Sequence, residues 1–536
     1  MVFKNFFLFL KKKIRSIYLN SNIYNKKISS FSYNPPKYRP SPSLLDCLIK
    51  YNKKKIDIEN YSLDEIWSNQ NLIETDYENL NSFFWLFSLD LKSSKKETQS
   101  IILQWIEKND RYNSKSWEID IMAKRIIAWI SNSKLTYEDG GSVYKNKFNK
   151  AIKKQINHLI NEIEKDEWVD NKMIGCAAII LTGLSYENKE GYLEYGLNLL
   201  KKIIKFSFDD YGFPKSRNIR QLNFYLKYFV LIREWLKESQ NEIPEYIDEN
   251  IYYLGQAYSF IWQNNKKDFL FNGNHETKNF DFDYYLKRLG YSFKYQGNEL
   301  AGYTILNNKK VAIAMDVGPS PDKKFSSNYQ AGSLSFEVIS NGKKLICNSG
   351  YFQNFEHKLN NLSKSSAANS TLTLNDTSSC KFTKVVKSSS KISHGLKIIE
   401  KNIVFEKNYW KIHAKHDGYL KQYGVIHDRE IEFYPEQMKF IGHDKIIFKN
   451  NLQNLKYEIR FHLEPSVKVM KTQDKKSIFI DIDGEGWKFN STKSDINIDK
   501  GLYFGKKNSF FDNQNILISG MTSEQNQTIK WEFTKI

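Results

Sequence analysis

The sequence predicts a multidomain chain with helices first and strands second: an incomplete (α/α) toroid followed by an antiparallel β-sandwich. Three observations predict it. At 536 residues the chain is too long for a single core. From about residue 43 to residue 285, apolar residues recur at three- and four-residue steps, as in 117–130, 145–164, 172–184 and 223–238. From about residue 297 onward the period is two, as in 310–316, 456–463, 477–482 and 528–533.

In chain order, 1–42 is a basic leader, expected to be loosely ordered, that ends in a Pro-rich stretch at 34–40. Its apolar run, 6–10, is short, and the Lys cluster follows that run instead of preceding it, so it makes a poor signal peptide. A short amphipathic helix against a membrane surface is the other reading of this segment. No run is long enough to cross a membrane. The next domain, 43–290, has helical windows separated by short polar breaks, so neighbouring helices should pack antiparallel. The last domain, 297–536, is the predicted sandwich. Its clearest local signal is a hairpin, in which alternating runs at 333–339 and 343–347 flank the turn Asn341-Gly342. Polar loops rich in Asn and Ser follow, and sites commonly lie on such loops.

Composition narrows the function. The formal charge is +19, which suits an acidic polysaccharide, an anionic lipid or a nucleic acid. Only ten of the 80 basic residues are Arg, however, and no compact basic motif appears, so a nucleic-acid partner is not expected. The four cysteines form no CxxC pair, which disfavours metal fingers and redox pairs. Cys347 and Cys380 are expected to be buried thiols in preference to a disulfide.

Three blocks in the second half carry a further signal. They are Gln330-Ala331-Gly332-Ser333-Leu334-Ser335-Phe336-Glu337, Asn348-Ser349-Gly350 and Ala367-Ala368-Asn369-Ser370-Thr371-Leu372. Together with His416-Asp417-Gly418-Tyr419, His427-Asp428-Arg429 and Arg460-Phe461-His462, this frame resembles the heparinase II/III family of polysaccharide lyases. In the first half the resemblance is looser. It rests on Trp117, Arg125 and Trp129 of one helix, on Asp170-Asn171-Lys172, on the loop Asp210-Tyr211-Gly212-Phe213-Pro214-Lys215-Ser216-Arg217-Asn218, and on Phe271-Asn272-Gly273. Three positions depart from the family: Gln330, Asn369 and Lys172 stand where it usually has His.

The resemblance implies a carbon–oxygen lyase that cleaves a uronate-containing acidic polysaccharide by β-elimination. Such an enzyme neutralises the uronate carboxylate, removes the adjacent proton and protonates the leaving oxygen. Carried over residue by residue, Asn171 would face the carboxylate, and Asn369 would occupy the position of the base. An amide cannot accept a proton at neutral pH, so His416 and His427 are the remaining proton carriers. Arg217, Arg220, Gln330 and Arg429 would contact substrate. No cofactor or catalytic metal is expected, although a structural divalent ion near His416 and Asp417 stays open. The family works in the cell envelope or periplasm; the weak leader leaves a cytoplasmic location open as well. Two alternatives stand beside the lyase. One is a non-catalytic binder of anionic polysaccharide in envelope glycan assembly, favoured by Gln330 and Asn369. The other is a toroid glycoside hydrolase, for which Asp170 and Asp210 are the available carboxylates.

Overall fold

The computed structural model describes residues 2–29, 35–48, 74–88, 95–186, 191–263, 267–277, 279–383, 389–492, 496–507 and 509–536. It divides into two compact units. The first takes Met1–Ser207, Phe224–Ile251 and Phe280–Gly290; the second takes Phe208–Asn223, Tyr252–Asn279 and Tyr291–Ile536. The second unit therefore owns not only the sheets but also two stretches from the helical half of the sequence.

The longer helices are α1 (Val2–Leu19), α2 (Asn22–Ser29), α3 (Glu74–Ser82), α4 (Lys95–Lys108), α5 (Ile119–Ser131), α6 (Ser142–Glu162), α7 (Val169–Ser185), α8 (Tyr192–Ser207), α9 (Ile219–Glu238), α10 (Glu245–Tyr258) and α11 (Phe280–Arg288). Helix α7 is apolar on all sides, and every residue from Met173 to Ser185 is buried, so it is a central helix. It approaches α8 closely because Gly183 has no side chain; a Cβ there would sit 2.4 Å from the Leu193 nitrogen. Arg125 of α5 is fully buried. Its guanidinium donates to Gln155 Oε1 (2.8 Å), to the Asn81 carbonyl (2.9 Å) and to the Ser116 carbonyl (2.9 Å), and it lies 3.9 Å over the Trp105 ring. The Trp-Arg-Trp helix singled out in the sequence is thus a packing device that pins α5 to its neighbours through a cation–π contact and three hydrogen bonds.

The leader departs from expectation. Residues 2–29 form α1 and α2 instead of a loose tail, and Tyr24 and Ile28 are buried. The Tyr24 hydroxyl meets His158 Nδ1 of α6 at 2.7 Å. Part of the expected helical domain, 49–73, lies outside the described residues.

In the second unit the antiparallel strands form a meander, β1-β2-β3-β4-β5 (Glu299–Leu300, Tyr303–Asn307, Val311–Asp316, Phe336–Ser340, Lys343–Ile346). An eight-stranded sheet runs β14 (Lys468–Lys471), β15 (Ser477–Ile482), β16 (Glu485–Ser491), β19, β12, β11, β10 and β9 (Ile398–Phe405), and a four-stranded sheet runs β17 (Ile496–Tyr503), β18 (Phe511–Met521), β13 and β6. The strands that matter below are β6 (Leu372–Leu374), β10 (Trp410–His416), β11 (Val425–Tyr434), β12 (Lys439–Phe448), β13 (Lys456–His462) and β19 (Asn526–Lys535). One apolar core joins all three sheets, with Phe336 stacked on Trp531 at 5.4 Å. The alternation of β12, half-exposed then buried along its whole length, is the period of two read from the sequence. All four cysteines are buried and free, so Cys347 and Cys380 are thiols.

Candidate functional site

Strand register brings four of the motif residues together. His416 of β10 pairs with His427 of β11, and Arg429 of β11 pairs with Asp444 of β12. His427 and Arg429 are two residues apart, so they share a face of the sheet. The result is a buried knot. Gly418 N–H donates to His416 Nδ1 at 3.0 Å, and His416 Nε2 meets His427 Nδ1 at 3.3 Å. His427 Nε2 meets Asp444 Oδ1 at 2.7 Å. Arg429 donates to both Asp444 oxygens (2.7 and 3.0 Å), and Trp531 Nε1 donates to Oδ2 at 2.8 Å.

This chain of donors fixes both tautomers. His416 Nδ1 accepts, so its proton is on Nε2; that proton goes to His427 Nδ1, so the proton of His427 is on Nε2 and goes to Asp444. Burial pushes both imidazoles below their ordinary range, against the pull of Asp444 on His427. Burial alone would raise the Asp444 carboxyl; Arg429 and His427 outweigh it and hold it well below the usual carboxylate range. Nη1 of Arg429 donates to the carbonyls of Leu334 (2.9 Å) and Ser370 (2.7 Å).

Four expected site residues are therefore corrected to structural ones. His416 and His427 are buried, neutral and engaged at both ring nitrogens, so neither is a proton carrier for a substrate. Arg429 is buried and spends its charge on Asp444, so it does not reach a sugar. Gln330 is buried as well: its amide donates to the carbonyls of Gly350 (3.0 Å) and Ser363 (2.7 Å), and its Oε1 accepts from Gly273 N–H (2.9 Å). It stitches three loops together.

Arg217 is a fifth correction. It has a positive φ of 57°, an uncommon backbone for a non-glycine residue. Its guanidinium donates to the carbonyls of Ala301 (3.0 Å), Gly302 (3.1 Å) and Pro319 (2.8 Å) and to Asp316 Oδ1 (2.5 Å). The other Asp316 oxygen accepts from Asn272 at 2.9 Å. The loop containing Arg217 and the Phe271-Asn272-Gly273 turn are thus tied to the end of β3 by one buried ion pair.

The motif frame has the same character. Glu337 Oε1 accepts from Asn348 N–H (3.0 Å) and Asn348 Nδ2 (3.1 Å), and Asn348 Oδ1 accepts from Ser370 N–H (2.8 Å). Ser370 Oγ donates to the Cys347 carbonyl at 2.7 Å and accepts from His462 N–H at 2.9 Å. Three sequence blocks are therefore one hydrogen-bond network between strands.

Asn369 is buried beside this network. Its Nδ2 donates to the Ser365 carbonyl at 2.9 Å, and its Oδ1 lies where a Cβ on Gly332 would come within 2.7 Å. Asn171 lies in the first unit, in the opening turn of α7, with Nδ2 donating to Asp166 Oδ2 at 3.1 Å. Near His416, Asp417 Oδ1 accepts from Lys397 N–H at 2.6 Å. Among the described residues no group of three or more His, Cys, Asp or Glu is arranged to hold a metal ion.

Sequence reading missed a second polar cluster in the second unit. His275, two residues beyond the Phe-Asn-Gly motif, is half-buried, and Gln353 Nε2 meets its Nδ1 at 2.7 Å. With the amide donating, the proton of a neutral His275 is on Nε2. Nearby in sequence, the Tyr351 hydroxyl donates to Asn328 Oδ1 (3.1 Å) and accepts from Asn360 Nδ2 (3.0 Å). Burial raises the Tyr351 phenol, while Asn360 and Arg220 work against that rise, which places the Arg220 charge close to this ring. Arg220 itself is half-buried in the first turn of α9, whose cap is Asn218: its Oδ1 accepts from the N–H groups of Arg220 (2.9 Å) and Gln221 (3.2 Å). Tyr211, Tyr252 and Tyr253 are exposed in the same unit. The only sequence signal for this cluster was its place beside motifs already noted. Tyr225 and Tyr228, also near those motifs, are buried in α9.

The comparisons with known proteins agree with this fold. Residues 298–532 match the family model described as Heparinase II/III-like, C-terminal. The fold is similar to that of heparinase III structures. A heparinase III crystal structure superposes with a TM-score of 0.68 at 14% identity, covering 96% of this chain and 89% of that one. A structure titled heparinase III with methylated lysines gives 0.65 at 11% identity, covering 93% and 84%. A mutant heparan sulfate lyase from Pedobacter heparinus gives 0.62 at 13% identity, covering 86% and 76%. The resemblance read from the motifs and the predicted order, helical region then antiparallel sheets, therefore both hold. No curated protein sequence matches the chain.

Proposed function

We propose that this protein binds a uronate-containing acidic polysaccharide on a lyase fold, and that β-elimination does not run at the positions where the family carries histidine. The observation that carries this reading is the state of those two positions. Gln330 and Asn369 are buried amides that already hold backbone partners, and an amide has no basic lone pair to give. The other motif histidines, His416 and His427, are neutral and locked within the sheet. With Gln353 donating to its Nδ1, a neutral His275 carries its proton on Nε2, so its chemistry there is that of a hydrogen-bond donor and not of a base.

Under this reading the carboxylate and hydroxyl contacts in the second unit come from Arg220 and His275, and exposed tyrosines such as Tyr211 supply apolar faces for sugar rings. No cofactor takes part. A place in the cell envelope or periplasm rests on the family resemblance and is part of the proposal. The lyase reading proper keeps the same substrate class and differs only in turnover.

The test is affinity electrophoresis of the full chain in gels containing a uronate polysaccharide or a neutral glucan. Retardation by the acidic polymer alone, relieved by salt, is expected. Equal mobility in both gels would overturn the proposal. Asn369→His, which restores an imidazole, is expected to bind with unchanged affinity and to release unsaturated product faster than the natural protein.

A further inference from the structure

We infer that α1 is an interfacial helix that seats the protein on an anionic lipid surface. This stands independently of the polysaccharide reading. The helix has two unlike sides. One is docked within its own unit: Arg15 pairs with Glu162 of α6, Leu19 is buried, and Tyr18 meets the buried Tyr24 edge-on at 5.1 Å. The other side is open. Leu10, Ile14 and Ile17 stand at i, i+4 and i+7, on one face of a helix, with 40%, 60% and 66% of their surfaces exposed. In the sequence, Phe3, Phe6 and Phe7 continue the same spacing toward the N-terminus. Single exposed apolar residues are ordinary, but a stripe of them along one helix face marks an interaction surface.

Charge selects the occupant. At about 100° per residue, Lys11 and Lys13 fall on opposite flanks of the stripe, and both are exposed. Residues 1–45 hold nine Lys or Arg and no Asp or Glu; the first acid is Asp46. A second copy of this segment would repel the first. An anionic bilayer surface attracts it and offers acyl chains to the stripe, and an apolar stripe flanked by lysines is the arrangement that lies in the headgroup plane. No helix among the described residues is long and apolar enough to cross a membrane, so α1 lies on the surface.

The experiment is co-sedimentation of the full chain with phosphatidylcholine vesicles, with and without a quarter phosphatidylglycerol, at low and high salt. Binding to the anionic vesicles is expected, with about a tenfold or greater loss on neutral vesicles or in high salt. The triple variant Leu10→Ser, Ile14→Ser, Ile17→Ser should lose about tenfold or more while keeping its thermal melt. No sedimentation of the natural chain with anionic vesicles overturns the inference, as does equal sedimentation of the variant. A dimer that the variant abolishes would assign the stripe to a second copy and overturn it too. A second variant guards against misfolding. The four native cysteines are buried, so Ile14→Cys takes an environment-sensitive dye at one place. A blue shift on anionic vesicles is expected; unchanged emission overturns the inference.

Discussion

The second unit contains two polar clusters that each include histidine and arginine, and they behave in opposite ways. In the knot at β10, β11 and β12, every nitrogen of His416 and His427 is engaged, Arg429 grips Asp444, and no surface is left for a ligand. In the cluster around His275, Gln353, Tyr351 and Arg220, the imidazole and the guanidinium are only half-buried. A histidine in a motif is therefore not by that fact a reagent. Sheet register decides whether it faces the core or the solvent, and a buried charge must be matched before it can persist.

The largest expected effect breaks the knot. Asp444→Ala leaves Arg429 buried without its anion, and about 3–5 kcal/mol of stability should be lost, read as a lower urea midpoint. The corresponding change on the other side, His275→Ala, should move stability by no more than about 0.5 kcal/mol. Similar losses for the two variants would erase the distinction between the clusters.

An acid titration sharpens the same contrast. Burial lowers His462 to about 4 and His158 to about 3. Below about pH 6.5 the unfolded chain takes up these protons and the folded one does not, so stability falls as the pH falls toward 4. Each such group contributes a slope of about 1.4 kcal/mol per pH unit in that window. Asp268 runs the other way: burial raises its carboxyl to about 6, so the folded state holds that proton and offsets one histidine between about pH 4 and 6. Denaturant melts at pH 7 and pH 5 should therefore show a net loss in acid, smaller in His462→Gln. A flat profile would contradict the neutral, buried assignment of these imidazoles.

A smaller effect belongs to the open cluster. Arg220→Ala removes a cation at the start of α9, and polysaccharide affinity should fall about tenfold with little change in melting temperature. Binding titrations paired with thermal melts check this. Arg217→Ala should do the reverse, destabilising the fold through Asp316 and sparing affinity in whatever fraction stays folded.

Much of this was legible in the sequence, for physical reasons. The change of hydrophobic period marks the passage from helices to strands because side-chain direction repeats at 3.6 in one and 2.0 in the other. The Asn341-Gly342 turn sits where it was read, with positive φ at both residues. The family frame was legible because Glu337, Asn348 and Ser370 must hydrogen-bond one another across strands. What the frame could not reveal was burial. That His416 faces His427 depends on register across two strands, and that Gln330 closes three loops depends on tertiary approach. The order in the leader was legible in principle: the spacing of Phe3, Phe6, Phe7, Leu10, Ile14 and Ile17 is helical, but the short continuous apolar run at 6–10 masks that period. His275 carried no signal of its own, since a lone histidine in a polar loop is ordinary.

On the proposed reading, the positions where heparinase II/III lyases usually carry histidine are held here by the amides of Gln330 and Asn369, which do not support elimination. The most direct measurement incubates the natural protein with a panel of uronate polysaccharides that it retains in affinity gels, following the ultraviolet absorbance of the unsaturated product. Binding without a rise in absorbance is the predicted result. A brisk rise, undiminished by His275→Ala, would contradict the account and place the base on a residue to which it assigns no such role.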